Sequence, residues 1–176
     1  MNRILPLALL LLAGCGPAVD SDANNSTPPA GAEAARLPLM IRSARAPLRF
    51  DVEVAITAEQ QEQGLMFRKS VDADGGMLFP MAPPRTASFW MKNTLVPLDI
   101  LFVRTDGTIA FIKPQAVPYS RDPISAGVPV AAVLELRGGR AAELGIAEGD
   151  QLYWGGCVGP TPAAIRAIEF CPSTRP

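Results

Sequence analysis

The feature that most constrains this chain is a two-residue alternation of apolar and polar side chains, cut into short runs by proline and glycine. Phe50, Val52, Val54 and Ile56 alternate with Asp51, Glu53 and Ala55. Successive strand side chains leave opposite faces, so this is the period of a half-buried strand. Further short apolar runs at 76–79, 86–92, 98–104, 108–113, 130–136 and 151–154 predict more strands. Pro80 stops the first of these, and Thr105-Asp106-Gly107 between two apolar runs signals a hairpin. Helical signals are brief. Thr57 offers an N-cap with Gln60 as its capping-box partner, so 58–66 predicts a short helix, weakened at its end by Gly64. A second short helix is predicted over 140–144, ended by Gly145. Thr161-Pro162 opens a C-terminal helix with cap and first-turn proline in their favoured places, stopped by Pro172. Residues 82–85 and 114–128 read as loops.

These runs predict an α+β domain: a mainly antiparallel, strongly curled or barrel-like sheet with two or three short helices. Rossmann and βα-barrel folds are disfavoured, because long helices do not alternate with the strands. The folded part is expected over 39–155, followed by a helical extension over 156–176.

Ahead of the domain, Met1-Asn2-Arg3 precedes an apolar run, and Leu12-Ala13-Gly14-Cys15 closes it. A cation, an apolar stretch and small residues make residues 1–14 a secretory signal peptide. The run is too short to span a bilayer, which needs about 20 residues. A cysteine directly after the small residues resembles a bacterial lipobox. That resemblance implies a diacylglycerol on the Cys15 thiol and a membrane as the first partner. Residues 15–38 are polar, small and proline-rich with no apolar period, which predicts a disordered tether. A flexible chain of that length reaches about 25 Å. Gly16, where inner-membrane retention signals usually carry Asp, favours the outer membrane. The expected location is the cell envelope, lipid-anchored on the periplasmic face of the outer membrane.

Composition removes several classes of chemistry. With 16 Lys+Arg against 17 Asp+Glu there is no basic stripe to displace counterions from a phosphate backbone, so nucleic acid is not an expected partner. Histidine is absent, which removes the commonest general base, the usual zinc ligand and every Ser-His-Asp or Cys-His mechanism. No metal site, cofactor or catalytic residue is assigned. With Cys15 acylated, Cys157 and Cys171 form an even pair that an oxidising compartment turns into a disulfide, pinning the last helix to the last strand.

Several motifs occur in order with short gaps. They are Gly64-Leu65-Met66-Phe67-Arg68, Gly76-Met77-Leu78-Phe79, Phe89-Trp90-Met91-Lys92-Asn93-Thr94 and Pro97-Leu98-Asp99-Ile100. Asp106-Gly107-Thr108-Ile109, Val133-Leu134-Glu135-Leu136 and Gly145-Ile146-Ala147-Glu148-Gly149-Asp150 follow. Over about 52–152 this ordered set resembles the prokaryotic domain-of-unknown-function-192 family. The resemblance implies one small sheet-rich domain that often follows an export signal, and it implies no activity. The region around Cys171 lies beyond it.

A strand over 88–94 would turn Phe89, Met91 and Asn93 to one face and Ser88, Trp90 and Lys92 to the other. Trp90 and Lys92 would then offer an aromatic surface beside a cation, suited to a sugar, a carboxylated ligand or a protein anchor. Packing of Trp90 under a loop is the plainer alternative. Asp99 and Glu135 stand amid apolar neighbours and need a partner or a shifted pKa. Arg68, Lys92 and Arg137 are the available cations. Two carboxylates can carry out acid–base work on envelope glycans, although structural ion pairs account for such residues more often. Met66, Met77, Met81 and Met91 could bind Cu(I) through their thioethers, although core packing is the simpler account. The expected function is a membrane-tethered, non-catalytic binding module, meeting an envelope protein or glycan through Arg68, Trp90, Lys92, Asn93, Asp99 and Glu135.

Overall fold

The computed structural model describes residues 35–171. The expected signal peptide, Cys15, most of the tether and the helix stop at Pro172 lie outside the described residues. The elements run β1 (Arg36–Arg42), β2 (Pro47–Val54), α1 (Ala58–Gln63), β3 (Met77–Thr86), β4 (Leu98–Val103), β5 (Ile109–Ala116), β6 (Pro129–Arg137), α2 (Arg140–Leu144) and β7 (Gln151–Trp154). A 3-10 helix follows at Ala163–Ile168.

The strands form one sheet in the order β5-β4-β6-β3-β2-β1-β7. Every neighbouring pair is antiparallel except β2 and β3, which run parallel with Glu53 opposite Met77 and Val54 opposite Leu78. A parallel pair needs a crossover, and the stretch carrying α1 supplies it. The sheet is therefore mixed, while its other five pairs keep the mainly antiparallel pairing that the sequence predicts. Thr108, just before the edge strand β5, meets the other edge strand β7 through one isolated bridge to Gln151. The sheet thus curls but does not close, and the barrel expectation is corrected to an open sheet.

Curling gives the sheet two apolar faces. The inner core gathers alternate residues of the strands, including Leu37, Leu39, Phe50, Val52, Leu101, Leu134, Leu136 and Trp154. The outer core lies on β3, β4 and β6, with Met77, Phe79, Ile100, Phe102 and Val133 covered by Leu65, Ala87 and Met91 from the connecting segments. All six residues of β4 are buried, as its near-continuous apolar sequence requires of a strand covered on both faces.

Other local expectations are also corrected. β1 begins at Arg36, so residues 36–38 of the expected tether pair with β2; Leu37, Leu39 and Ile41 alternate inward, with Pro38 at an outward position between them. β3 runs on through Ala82-Pro83-Pro84, expected as a loop, and its register shifts between Pro80 and Arg85. Prolines cannot donate to a ladder, and an irregular stretch accommodates them. The expected strand 86–92 is irregular after Thr86 and is tied by a single bridge from Phe89 to Ile124. The C-terminal helix is the 3-10 helix.

Cys157 and Cys171 form the expected disulfide, with Cα atoms 5.9 Å apart. Phe170 bridges Trp154 and stacks on its ring at 4.5 Å. The indole N–H of Trp154 donates to the Ile168 carbonyl at 2.5 Å.

Candidate functional site

On the outer face, α1 and the turn after it stand across a cleft from residues 85–90. The cleft holds about 320 Å³, with Phe79 and Glu135 at its buried end. Its roof is built by polar bonds. Thr57 Oγ1 accepts from the Gln60 amide at 3.2 Å, and Gln60 Oε1 accepts from the amides of Ile56 and Thr57 at 2.8 and 3.0 Å. This capping box starts α1 where the sequence places it. The helix buries none of its side chains. It is fastened instead by Gln61, whose amide nitrogen donates to the carbonyls of Ala55 and Pro80 at 3.2 and 3.1 Å. Arg85 donates to the Gln61 side-chain oxygen at 3.3 Å across the cleft mouth. Gly64 ends the helix with φ +49°; a Cβ there would lie 3.2 Å from the Phe79 ring and 4.0 Å from Glu135 Oε2. A bare backbone at this point keeps the carboxyl uncovered.

Glu135 is the chemically unusual group. It sits in β6 opposite Met77 of β3 and Ile100 of β4, and the residue is 5% exposed. Among the described residues no hydrogen bond to its carboxyl is formed, and since no fully buried side-chain oxygen there lacks a partner, the carboxyl keeps some surface open to the cleft. Burial alone pushes its pKa from 4.5 up to about 8, because an apolar surrounding disfavours the charged form. Near pH 7 it is a neutral acid that both donates and accepts hydrogen bonds. Phe89 forms the facing wall, edge-on to Phe79 at 5.0 Å and to Phe102 at 6.0 Å. Trp90 stands at the mouth, 47% exposed, with the Lys92 ammonium 5.2 Å from its ring centroid. The expected pairing of Trp90 with Lys92 is therefore present, although the segment is irregular and not a strand.

The two acids do not share a site. Asp99 lies opposite Leu136 and Glu135 lies opposite Ile100. Directly paired residues share a face and consecutive ones alternate, so the two carboxyls point to opposite faces of the sheet. Asp99 is fully buried and accepts from the backbone amides of Gln115, Gly139 and Ala141 at 2.8, 2.9 and 2.7 Å. It ties the end of β5 to the start of α2. A hydrolase working through Asp99 and Glu135 together is thereby corrected: the geometry separates its two groups by the sheet.

The remaining candidates are engaged locally. Arg68 makes a two-pronged ion pair with the mostly buried Glu53 at 2.5 and 2.6 Å. Arg137 pairs with Glu143 at 2.6 Å. Asn93 holds a turn at φ +55°, its carbonyl accepting from the Phe67 amide at 2.9 Å and its side-chain amide meeting the Met66 sulfur at 3.8 Å. Met77, Met81 and Met91 are buried in the outer core, and Met66 lines the cleft. The sequence reading missed the roof and rim: Gln61, Gln63, Gly64, Arg85, Thr86 and Ser88. One signal was available, since four of the ordered motifs contribute to this cleft. Gly64-Leu65-Met66 and Phe89-Trp90 line it, and Phe79 and Glu135 come from the two strand motifs.

The family model DUF192, described as "Uncharacterized ACR", matches residues 40–154. The chain belongs to this family. The match contains every residue that lines the cleft. Solved structures agree with this membership. A protein from Sinorhizobium meliloti 1021 described as a "putative transcription regulator" is 40% identical, with a TM-score of 0.67 over 70% of this chain and 98% of its own. A protein of unknown function from Novosphingobium aromaticivorans DSM 12444 is 39% identical, with a TM-score of 0.68 over 81% of this chain and 100% of its own. No curated protein matches the chain.

Proposed function

We propose that this DUF192 chain is a membrane-tethered envelope lipoprotein whose domain is a non-catalytic binding module, with the cleft over Glu135 as its ligand site. The observation that carries the reading is the carboxyl of a nearly buried residue, without a hydrogen-bond partner among the described residues, facing a cleft of ligand size. Among the described residues the floor holds no second acid or base, because Asp99 belongs to the opposite face. Glu62 and Arg85 stand on the exposed rim. Leu12-Ala13-Gly14-Cys15 supports lipid attachment at Cys15, and a Cys157–Cys171 disulfide suits an exported protein. The regulator description of one relative is not carried over. DNA binding draws on many phosphate contacts, and this chain has a net charge of −1.

The test places a photo-crosslinking residue at the exposed rim residue Glu62 in the cells that make the protein, with a second at Arg104 on the β4–β5 turn as control. The reading expects a discrete envelope adduct from position 62 that position 104 does not give. Identical adducts from both positions, or none from 62, would overturn it. The intact mass of the mature chain checks the anchor: the chain should begin at Cys15 and carry acyl groups. A chain that keeps residues 1–14 refutes the lipoprotein assignment.

A further inference from the structure

We infer that the cleft takes a neutral saccharide unit, with its hydroxyls on the Glu135 carboxyl and a ring face against Trp90. This rests on the reading of the cleft as a ligand site and names the class of ligand. Three ligand chemistries compete for a buried carboxyl, and the surroundings separate them.

An organic cation would have to ionise a group that burial keeps protonated near neutral pH. It would also pass two cations at the mouth, the Arg85 guanidinium at Gln61 and the Lys92 ammonium on Trp90. An anion could meet Arg85 and Lys92 at the mouth but would find no countercharge at the floor, where the carboxyl stands. The groups flanking Glu135 from β3 and β4 are Met77, Phe79 and Ile100. Among the described residues that line the roof and rim, the charged ones are Glu62 and Arg85. A neutral hydroxylated ligand meets neither obstacle. A protonated carboxyl donates one hydrogen bond and accepts others, which is the complement of a hydroxyl that does both.

The rest of the lining fits the same ligand. Gln63, Thr86 and Ser88 add neutral polar groups at the rim, and Phe89 and Trp90 add aromatic surface. Lys92 lies over the Trp90 ring, yet the residue stays 47% exposed, which leaves area for the apolar face of a sugar ring.

The experiment titrates the mature full-length chain, in detergent, with three probes: tri-N-acetylglucosamine, benzylammonium and acetate. Amide resonances of residues 64–66 and 85–90 report on the cleft. The trisaccharide should shift these resonances saturably, and the other two probes should not. Glu135→Gln keeps a neutral donor and acceptor, so saccharide affinity should stay within threefold of the unaltered chain. Glu135→Leu and, separately, the exposed Trp90→Ala should each weaken it at least tenfold. Trp90→Ala keeps the test valid if the core variant folds poorly. Saccharide binding that survives both losses would overturn the inference. Preferential binding of benzylammonium or acetate in the cleft would overturn it too, while leaving the binding-module reading in place. If no probe shifts the cleft and position 62 still crosslinks in cells, the saccharide inference alone falls. If neither occurs, both fall.

Discussion

Replacing Glu135 by glutamine changes stability by an amount set by pH, because the folded chain holds this proton more tightly than the unfolded one. The carboxyl titrates at about 8 in the fold, against 4.5 for the ordinary group. Below 4.5 both states are protonated and the group is neutral in its effect. Between 4.5 and about 8 the folded state binds more protons than the unfolded state, so stability falls as pH rises. The slope is about 1.4 kcal/mol per pH unit. Across the window the native chain loses roughly 5 kcal/mol, a large share of the 5–15 kcal/mol that holds a typical domain folded. Above about 8 both states are ionised and the loss levels off.

Glutamine has nearly the same shape and no charge, so its stability lacks this component. Urea unfolding of both proteins with the disulfide intact, at each pH from about 5 to 9, isolates it. Every other titrating group is common to the two proteins and cancels in the difference. The glutamine variant should match the unaltered chain at the acid end and exceed it by several kcal/mol at the alkaline end. A difference that stays flat with pH refutes the reasoning, and so does one that grows toward acid.

Asp99→Ala takes the acceptor from three backbone amides, the buried one of Ala141 and the part-buried ones of Gln115 and Gly139. At about 1–3 kcal/mol for a buried unsatisfied group, urea unfolding should show a loss of at least about 1 kcal/mol, with the cleft resonances unchanged. Thr57→Ala removes the N-cap of α1 and costs about 1 kcal/mol; amide exchange should quicken in residues 58–64 ahead of the sheet. Replacing Cys157 and Cys171 by serine opens a link spanning 14 residues, worth about 3 kcal/mol in the chain-entropy model. Exchange of the mutually bonded Trp154 and Phe170 amides should rise while β4 and β6 stay protected.

Local signals in the sequence were reliable where one short contact decides the structure. The Thr57–Gln60 box, the Asp106-Gly107 turn and the Phe50–Val54 alternation each appear where the residues place them. What sequence could not supply was strand order. Parity along a strand tells which residues share a face, but comparing two strands needs their register. Asp99 and Glu135 looked alike, two acids in apolar runs; only the pairing of β4 with β6 sends them to opposite faces. The parallel contact of β2 with β3 is equally silent, because its partners are more than 20 residues apart and separated by α1. Prolines hid the rest. Pro38 closes a proline-rich polar stretch and the run from Pro80 to Pro84 breaks the alternation, yet both stretches belong to strands. The candidate site was legible in Glu135 and Trp90. Its roof was not, since nothing in Gln61 or Gln63 marks a cleft until α1 is set over the sheet.

The two-sided burial of β4 and β6 has an evolutionary consequence. Leu134 and Leu136 face the interior that all seven strands share, whereas Val133 and Glu135 face the outer layer. The inward letters of these strands serve the interior, and the outward letters serve a second core with the cleft floor set into it. Drift at Glu135 would rewrite that floor while leaving the inward set in place.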